Sequence, residues 1–206
     1  MSWRDRLPKL IEVALALVVA FALGRLTVHT SSDPKPGGVD IGFSQDMAVH
    51  HEQAVLMAGL AQTRGGAAVT LLANAILIDQ SQEIGLMRGW LKLWDQPTID
   101  PHPMSWMTAA MPDMSMSDTS MPGMATPGQL TRLASLTGRR FDVLFLQLMI
   151  RHHEGGLLMC QYAQAHARLE VVRDAATSMA VEQVEDLAQM KALLKADGGQ
   201  PLSQNF

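Results

Sequence analysis

The sequence has a single cysteine, Cys160, among its 206 residues. One cysteine excludes an internal disulfide and the paired-cysteine motifs of zinc, redox and c-type haem sites. Aromatic residues make up only 5% of the chain, and valine and isoleucine runs are scarce beyond the N-terminus, which argues against sheets. Charge of one sign is also lacking: the net charge is -4 and the basic residues are scattered, so no nucleic-acid partner is predicted.

What the chain has instead is alanine, leucine and 15 methionines, within a hydrophobic fraction of 48%. This composition favours an all-α protein with one buried core. Glycine and proline positions predict four long helices and a short one. Their expected spans are residues 40–64, 67–94, 127–136, 139–166 and 169–196.

Residues 1–29 are predicted to be a membrane-directed segment. Basic residues precede a mostly apolar run from Leu10 to Val28. The run is compatible with an uncleaved single-pass anchor or with a signal peptide cleaved near Ala20-Phe21-Ala22. The positive-inside rule places the N-terminus in the cytoplasm and the remaining chain outside the membrane. A flexible tether, residues 30–39, should follow, and residues 199–206 should form a tail after the domain at 40–198.

An internal repeat organises that domain. Residues 40–61 and 142–163 are identical at ten of twenty-two positions, and the similarity extends faintly into the helix that follows each segment. In those following helices, Gln80, Glu83 and Met87 correspond to Gln183, Asp186 and Met190. Two related helical hairpins predict a four-helix bundle with approximate twofold symmetry, an architecture that places metal sites between facing helices.

Each repeat carries two adjacent histidines between two methionines on the apolar face of its helix. Glu52 falls on the opposite face, while Glu83 and Asp186 are candidates to orient an imidazole from a neighbouring helix. Buried histidines can simply find hydrogen-bond partners, but eight ring nitrogens in one apolar core are more readily satisfied by a metal. The candidate ligands in the bundle are Met47, His50, His51, Met57, Met149, His152, His153 and Met159.

Imidazole with thioether is a soft ligand set that favours copper, as Cu(I), over magnesium, calcium or manganese. Zinc would leave the methionines unexplained. A di-iron site needs a Glu-x-x-His motif on two helices, whereas this chain reads His-His-Glu. Cys160 is expected to be a small buried residue rather than a ligand.

A long loop at residues 97–126 has five prolines and a second set of methionines, in a setting that we expect cannot form a core. Closely spaced thioethers in a flexible segment could converge on one soft ion, and they resist disulfide exchange outside the cell. The candidate ligands in the loop are Met104, Met107, Met111, Met114, Met116, Met121 and Met124.

The stretch FDVLFLQLMIRHHEGGLLM, preceded by LTRLASLTGRR, resembles the domain-of-unknown-function 305 family. That family has a Met-x-x-His-His segment in each half of a ferritin-like four-helix bundle. The resemblance spans residues 40–198 and implies the bundle fold. It also implies, for some members, periplasmic copper binding linked to copper tolerance through the methionine and histidine positions of the bundle named above.

The sequence therefore predicts a membrane-anchored, envelope-facing protein that binds Cu(I) for buffering, transfer or tolerance, and that is not an enzyme. Two alternatives remain open: a metal-dependent oxidase with a ferritin-like fold, and a structural or interaction bundle whose histidines bind no metal. A copper-transfer partner and a homo-oligomer are left undecided.

Overall fold

The computed structural model describes residues 16–19, 34–107 and 121–202 and divides the chain into two units, Met1–Pro34 and Lys35–Phe206. Within the first unit, residues 16–19 form an exposed helical turn. The rest of the predicted anchor or signal segment lies outside the described residues. Among the residues that are described, no helix is long and apolar enough to cross a membrane.

The second unit is built from helices, and its described residues contain no strand, which confirms the all-α prediction. Each helix begins and ends within three residues of its predicted position. Glycine or proline marks most of the boundaries, but the last two long helices are separated by Ala167-Arg168-Leu169. The elements are α1 (Gly38–Arg64), α2 (Ala67–Leu93), a 3-10 turn (Ser105–Met107), α3 (Pro127–Ala134), α4 (Gly138–His166) and α5 (Glu170–Ala196).

The four long helices pack as two hairpins side by side. Helix α1 packs against α2 and α4 against α5, and the hairpins meet mainly through α1 and α4. The pair α2 and α5 also face each other, but less closely. The histidine-bearing helices therefore form the centre of the bundle, and α2 and α5 flank them.

Reciprocal caps join the two hairpins. Asp40, buried on α1, accepts hydrogen bonds from the backbone N–H groups of Leu169 (2.9 Å) and Arg168 (3.3 Å), where α5 begins. Asp142 on α4 accepts one from the N–H of Gly66 (2.9 Å), where α2 begins. The first turn of a helix has N–H groups without partners inside the helix, so each repeat supplies an acceptor that the other repeat needs.

The core consists of two hydrophobic clusters. The Met57 cluster contains Met57 and Met149, together with Phe141, Phe145 and Met190. The Met47 cluster contains Met47 and Met159 around Phe43. Each cluster thus combines the methionine before the histidines of one repeat with the methionine after the histidines of the other repeat. This is the pairing expected when α1 and α4 run antiparallel. Along α1 and α4, the histidines lie between the two clusters.

The expectation that the methionine loop cannot form a core is wrong for two of its members. Met104 and Met107 are each only 3% exposed and belong to the Met47 cluster. The buried carboxylate of Asp46 folds the loop inward by accepting hydrogen bonds from the N–H of Met104 (2.6 Å) and from Nε1 of Trp106 (2.8 Å). Gly42 permits this packing, because a Cβ there would lie 2.4 Å from the Trp106 ring.

Candidate metal-binding site

Four buried histidine side chains, which we call the histidine layer, lie between α1 and α4. His50, His51, His152 and His153 are at most 1% exposed. The rings of His50 and His152 stack across the two helices with their centroids 3.7 Å apart and an interplanar angle of 29°. The sequence prediction that both pairs occupy the apolar face is confirmed, and the structure brings the two repeats together there.

The Nε2 atoms of the layer contact polar groups of the protein. Nε2 of His50 lies 3.1 Å from the carbonyl oxygen of Pro122, and Nε2 of His152 lies 3.0 Å from that of His50. His153 Nε2 lies 3.2 Å from Asp186 Oδ2. His51 Nε2 lies 2.8 Å from Glu83 Oε2, although the angle of this contact departs from that of a hydrogen bond. The predicted orienting roles of Glu83 and Asp186 thus have the required contacts.

The Nδ1 atoms behave differently. All four are buried, and none has a hydrogen-bond partner among the described residues. A buried polar atom without a partner loses its hydration without compensation, which costs on the order of 1–3 kcal/mol per group. Four such atoms in one layer are what a site for an electrophile, such as a metal ion, would provide.

Burial also keeps the imidazoles of His50, His51 and His152 neutral. Loss of hydration, together with repulsion from the neighbouring histidines, lowers the pKa of His50 and His51 to about 3. The pKa of His152 is well below its usual value for the same reasons. In contrast, burial, helped by the nearby Asp79, raises the pKa of Glu83 to about 7. Neutral imidazole is the form that binds metals, so no proton needs to leave these rings before coordination.

The thioethers of the bundle flank the histidine layer on both sides. Met47, Met57, Met149 and Met159 have no exposed surface. The Met47 cluster is the richer in sulfur, with six buried methionines: Met47, Met87, Met104, Met107, Met159 and Met179. Soft thioether ligands, accompanied by neutral imidazoles, fit Cu(I).

The loop methionines are divided by the structure. Met104 and Met107 reach the core, whereas Met121 and Met124 are half-buried; Met121 packs against the Met47 cluster. Met111, Met114 and Met116 lie outside the described residues.

Carboxylates do not supply a conventional metal site. Within residues 16–19, 34–107 and 121–202, no three side chains among His, Cys, Asp and Glu form a group that could hold a metal ion. Glu52 pairs with Arg88 and Glu154 with Lys191, as expected for glutamates that face away from the histidines. A metal in the histidine layer would therefore need thioether ligands as well as imidazoles.

Cys160 is buried in the Met47 cluster, in agreement with the expectation of a small core residue. Burial raises the pKa of its thiol, so the sulfur stays protonated in the metal-free protein.

Sequence reasoning missed the polar groups that border the layer. The carbonyl of Pro122 returns to His50 from 72 residues away, and no sequence pattern marks it. Gln80 and Gln183 are each 4% exposed and have unpartnered side-chain atoms. The sequence signal that could have identified them is that Gln80 and Gln183 occupy equivalent positions in the two repeats.

Fold and site together define an all-helical bundle of two repeated hairpins, with buried histidines between methionines. The sequence model of the domain of unknown function DUF305 matches residues 40–194. The chain belongs to this family, as its motif indicated.

Solved structures agree with this assignment. A DUF305 protein of Streptomyces coelicolor is 35% identical, with a TM-score of 0.73, and the match covers 80% of this chain and 97% of that one. A DUF305 fragment from Deinococcus radiodurans is 27% identical, with a TM-score of 0.67, and the match covers 79% and 99%. CopM in its Cu(I)-bound form is 23% identical, with a TM-score of 0.60, and the match covers 76% and 96%. No protein of curated function matches the chain.

Proposed function

We propose that the protein is a membrane-anchored, envelope-facing copper-binding protein that holds Cu(I) in the histidine layer with help from the flanking methionines, for buffering, transfer or tolerance. The observation that carries the proposal is the set of four buried Nδ1 atoms that have no hydrogen-bond partner among the described residues. They lie between helix segments whose methionines are fully buried, and burial keeps the imidazoles of His50, His51 and His152 neutral. This donor set suits a soft ion of low charge better than it suits a hard cation.

The comparisons add support of two kinds. CopM has Cu(I)-, Cu(II)- and silver-bound forms, so a protein of this fold can hold soft metals. The Streptomyces relative is named as a candidate secreted protein, which agrees with an exported bundle. The basic start and the apolar run of residues 1–29 support anchoring, and membrane fractionation of cells that produce the full chain would test it.

The metal proposal is tested by anaerobic titration of residues 30–206 with Cu(I) against a competing chelator. We expect the wild type to retain copper, and the double variant His50→Gln/His152→Gln to lose stoichiometry. Met47→Leu/Met159→Leu should weaken binding while nearly conserving side-chain volume. Changing Met111, Met114 and Met116 to leucine should remove any ions held by the loop.

Met190→Leu is the matched control, since Met190 is a buried methionine of the Met57 cluster that is not a predicted ligand. It should bind copper as the wild type does. A wild type that cannot compete for copper, together with histidine variants that fold equally well, would leave a structural bundle as the better interpretation.

A further inference from the structure

A groove separates the two flanking helices. Between α2 and α5 lie a cavity of about 430 Å³ and a more enclosed one of about 170 Å³, which we call the outer and the inner cavity. They share Asp79, Glu83, Met179 and Glu182 and are therefore adjacent. Since a water molecule occupies roughly 30 Å³ in the liquid, the inner cavity has room for an ion and several waters.

The groove is acidic. Of the described residues that line its two cavities, none is lysine or arginine and five are carboxylates: Asp79, Glu83, Glu182, Glu185 and Asp186. Within the part of the chain that the structure describes, Asp79, Glu182 and Glu185 form no ion pair. The pKa of Glu182 is raised by partial burial and then by the nearby Glu83 and Asp79. Carboxylates crowded without a partner produce a negative potential that attracts cations.

Two buried amides line the inner cavity. Among the described residues, the Oε1 atom of Gln80 has no hydrogen-bond partner, and neither do the Oε1 and Nε2 atoms of Gln183. Gly156 of α4 makes room for Gln183, because a Cβ there would lie 2.4 Å from its Oε1 atom. Amide oxygens without donors are available to a cation that loses part of its water shell.

The inner cavity adjoins the histidine layer. Its wall includes Glu83 and Asp186, the residues whose carboxylates contact His51 and His153. On the opposite side, residues of the loop cover the layer: Pro122 contacts His50, and a Cβ on Gly123 would lie 2.9 Å from the Cα of His152. The groove thus reaches residues whose carboxylates contact the layer.

We propose that the groove between α2 and α5 is the entrance through which a metal cation reaches the histidine layer. Asp79, Glu182 and Glu185 attract the cation at the surface, and Gln80 and Gln183 receive it inside. Carboxylate and amide oxygens are hard ligands that bind a soft ion weakly, so the groove passes Cu(I) onward to imidazole and thioether. The inference rests on the proposed function, because it concerns how the same layer is loaded.

Loading kinetics of the full chain test this proposal. Cu(I) is supplied anaerobically as its acetonitrile complex, and unbound metal is captured by a chelator at successive times. The triple variant Asp79→Asn/Glu182→Gln/Glu185→Gln should load about tenfold more slowly at low ionic strength, at the lower end of steering effects. The difference should shrink as salt screens the carboxylates, while the final stoichiometry stays that of the wild type.

Matched controls separate the groove from net charge. Asp95→Asn/Glu170→Gln/Asp174→Asn removes three exposed carboxylates that do not line the groove, and it should load at the wild-type rate. Ala75→Trp, which narrows the inner cavity, should also slow loading. Ala68→Trp, at an exposed site on the same helix outside the groove, should not.

If the triple variant and Ala75→Trp both load copper at the wild-type rate, the groove is not the entrance, but the copper-binding proposal is unaffected. If the triple variant binds fewer copper ions than the wild type, the groove is a binding site rather than an entrance, and the entrance proposal is wrong. If the wild type holds no copper, both proposals fail.

Discussion

Adjacent histidines in this protein have different surroundings. His50 and His152 stack on each other beneath the Pro122 segment, whereas His51 and His153 turn toward carboxylates of α2 and α5. The apolar arc of each helix predicted that these rings are buried, and the repeat pointed to Glu83 and Asp186 as their partners. The stack itself could not be predicted, because it depends on the relative shift of α1 and α4, which no local pattern specifies.

Neutral buried histidines make the copper-free protein sensitive to acid. The pKa values of His50 and His51 are about 3 in the fold but about 6.5 in the unfolded chain, so between these values the unfolded state binds more protons. The free energy of unfolding should therefore fall as pH decreases from about 6.5 toward 3, by on the order of 2 kcal/mol per histidine at about pH 4.5. Urea denaturation at several pH values measures it.

Glu83 opposes this trend. Its pKa is raised to about 7, so its contribution to stability is present at low pH and is lost as pH rises through that value. The pH dependence of the wild-type free energy of unfolding is therefore compared with that of His50→Gln/His152→Gln. This variant keeps Glu83, and its free energy of unfolding should fall less as pH decreases. Parallel pH profiles for the two proteins would contradict neutral, buried imidazoles.

The carboxylate contacts of His51 and His153 should affect copper affinity. Partners of a ligating imidazole fix its orientation and raise its basicity, and their loss typically costs 10- to 100-fold in metal affinity. Glu83→Gln and Asp186→Asn should each weaken Cu(I) binding by about that factor in competition titrations. Glu52→Gln, which alters an ion pair on the outer surface, is the control. Equal affinities in all three variants would show that the carboxylates do not act on the site.

Most helix boundaries could be predicted from the sequence because glycine or proline marks them. The paths of the loops could not be predicted. The sequence predicted that residues 97–126 form a methionine-rich loop outside the core, yet Asp46 binds the backbone of Met104 and the indole of Trp106 and holds them against α1. The repeat equivalent of Asp46 is Leu148, so comparison of the two halves gave no sign of this contact.

The loop segment over the histidine stack depends on two glycines. Gly123 has a φ of +80°, and a Cβ there would lie 2.4 Å from the carbonyl oxygen of Arg151. On Gly155, a Cβ would lie 2.1 Å from the carbonyl oxygen of Pro122. Gly123→Ala should destabilise the protein by about 1–3 kcal/mol in urea titrations, through strain and displacement of the loop.

Gly85→Ala is the matched change, since a Cβ there meets nothing within 4 Å on an exposed part of α2. It should stabilise the protein by about 0.5–1 kcal/mol through helix propensity. A neutral Gly123→Ala variant would mean that the loop is not held against α4.

The reciprocal caps predict coupled stability of the hairpins. Asp142→Ala should cost about 1–2 kcal/mol, because the N–H of Gly66 at the start of α2 loses its acceptor. Asp40→Ala should cost at least as much, since Asp40 also accepts from the N–H of Gly37 (2.6 Å). Asp174→Ala, at an exposed position of α5, should change stability by less than about 0.5 kcal/mol. Thermal and urea unfolding measure all three, and equal values would exclude capping as the cause.

At the scale of the molecule, the two hairpins are related by a regular offset along the chain. Glu52 with Arg88 and Glu154 with Lys191 are equivalent pairs within each hairpin, and Gln45 and Gln147 likewise donate to the equivalent carbonyls of Pro97 and Gln200. The repeat predicted that the two hairpins are equivalent. What it could not predict is that the caps cross between hairpins while the ion pairs stay within them, since both are equally consistent with the repeat.

Because the caps cross between the hairpins, neither hairpin should be stable when the two are separated. A fragment of residues 35–107 exposes the α1 face that carries His50 and lacks the Asp142 cap for α2, so it should be largely unfolded by circular dichroism. The complementary fragment 121–206 lacks Asp40 for α5 and should behave in the same way. Mixed in equal amounts, the two should recover helical content and a cooperative thermal transition.

Because the caps are reciprocal, Asp40→Ala together with Asp142→Ala should abolish this recovery, whereas Asp174→Ala should permit it. Fragments that fold fully on their own would show that each hairpin is an independent folding unit, and that the histidine layer forms when two folded hairpins dock.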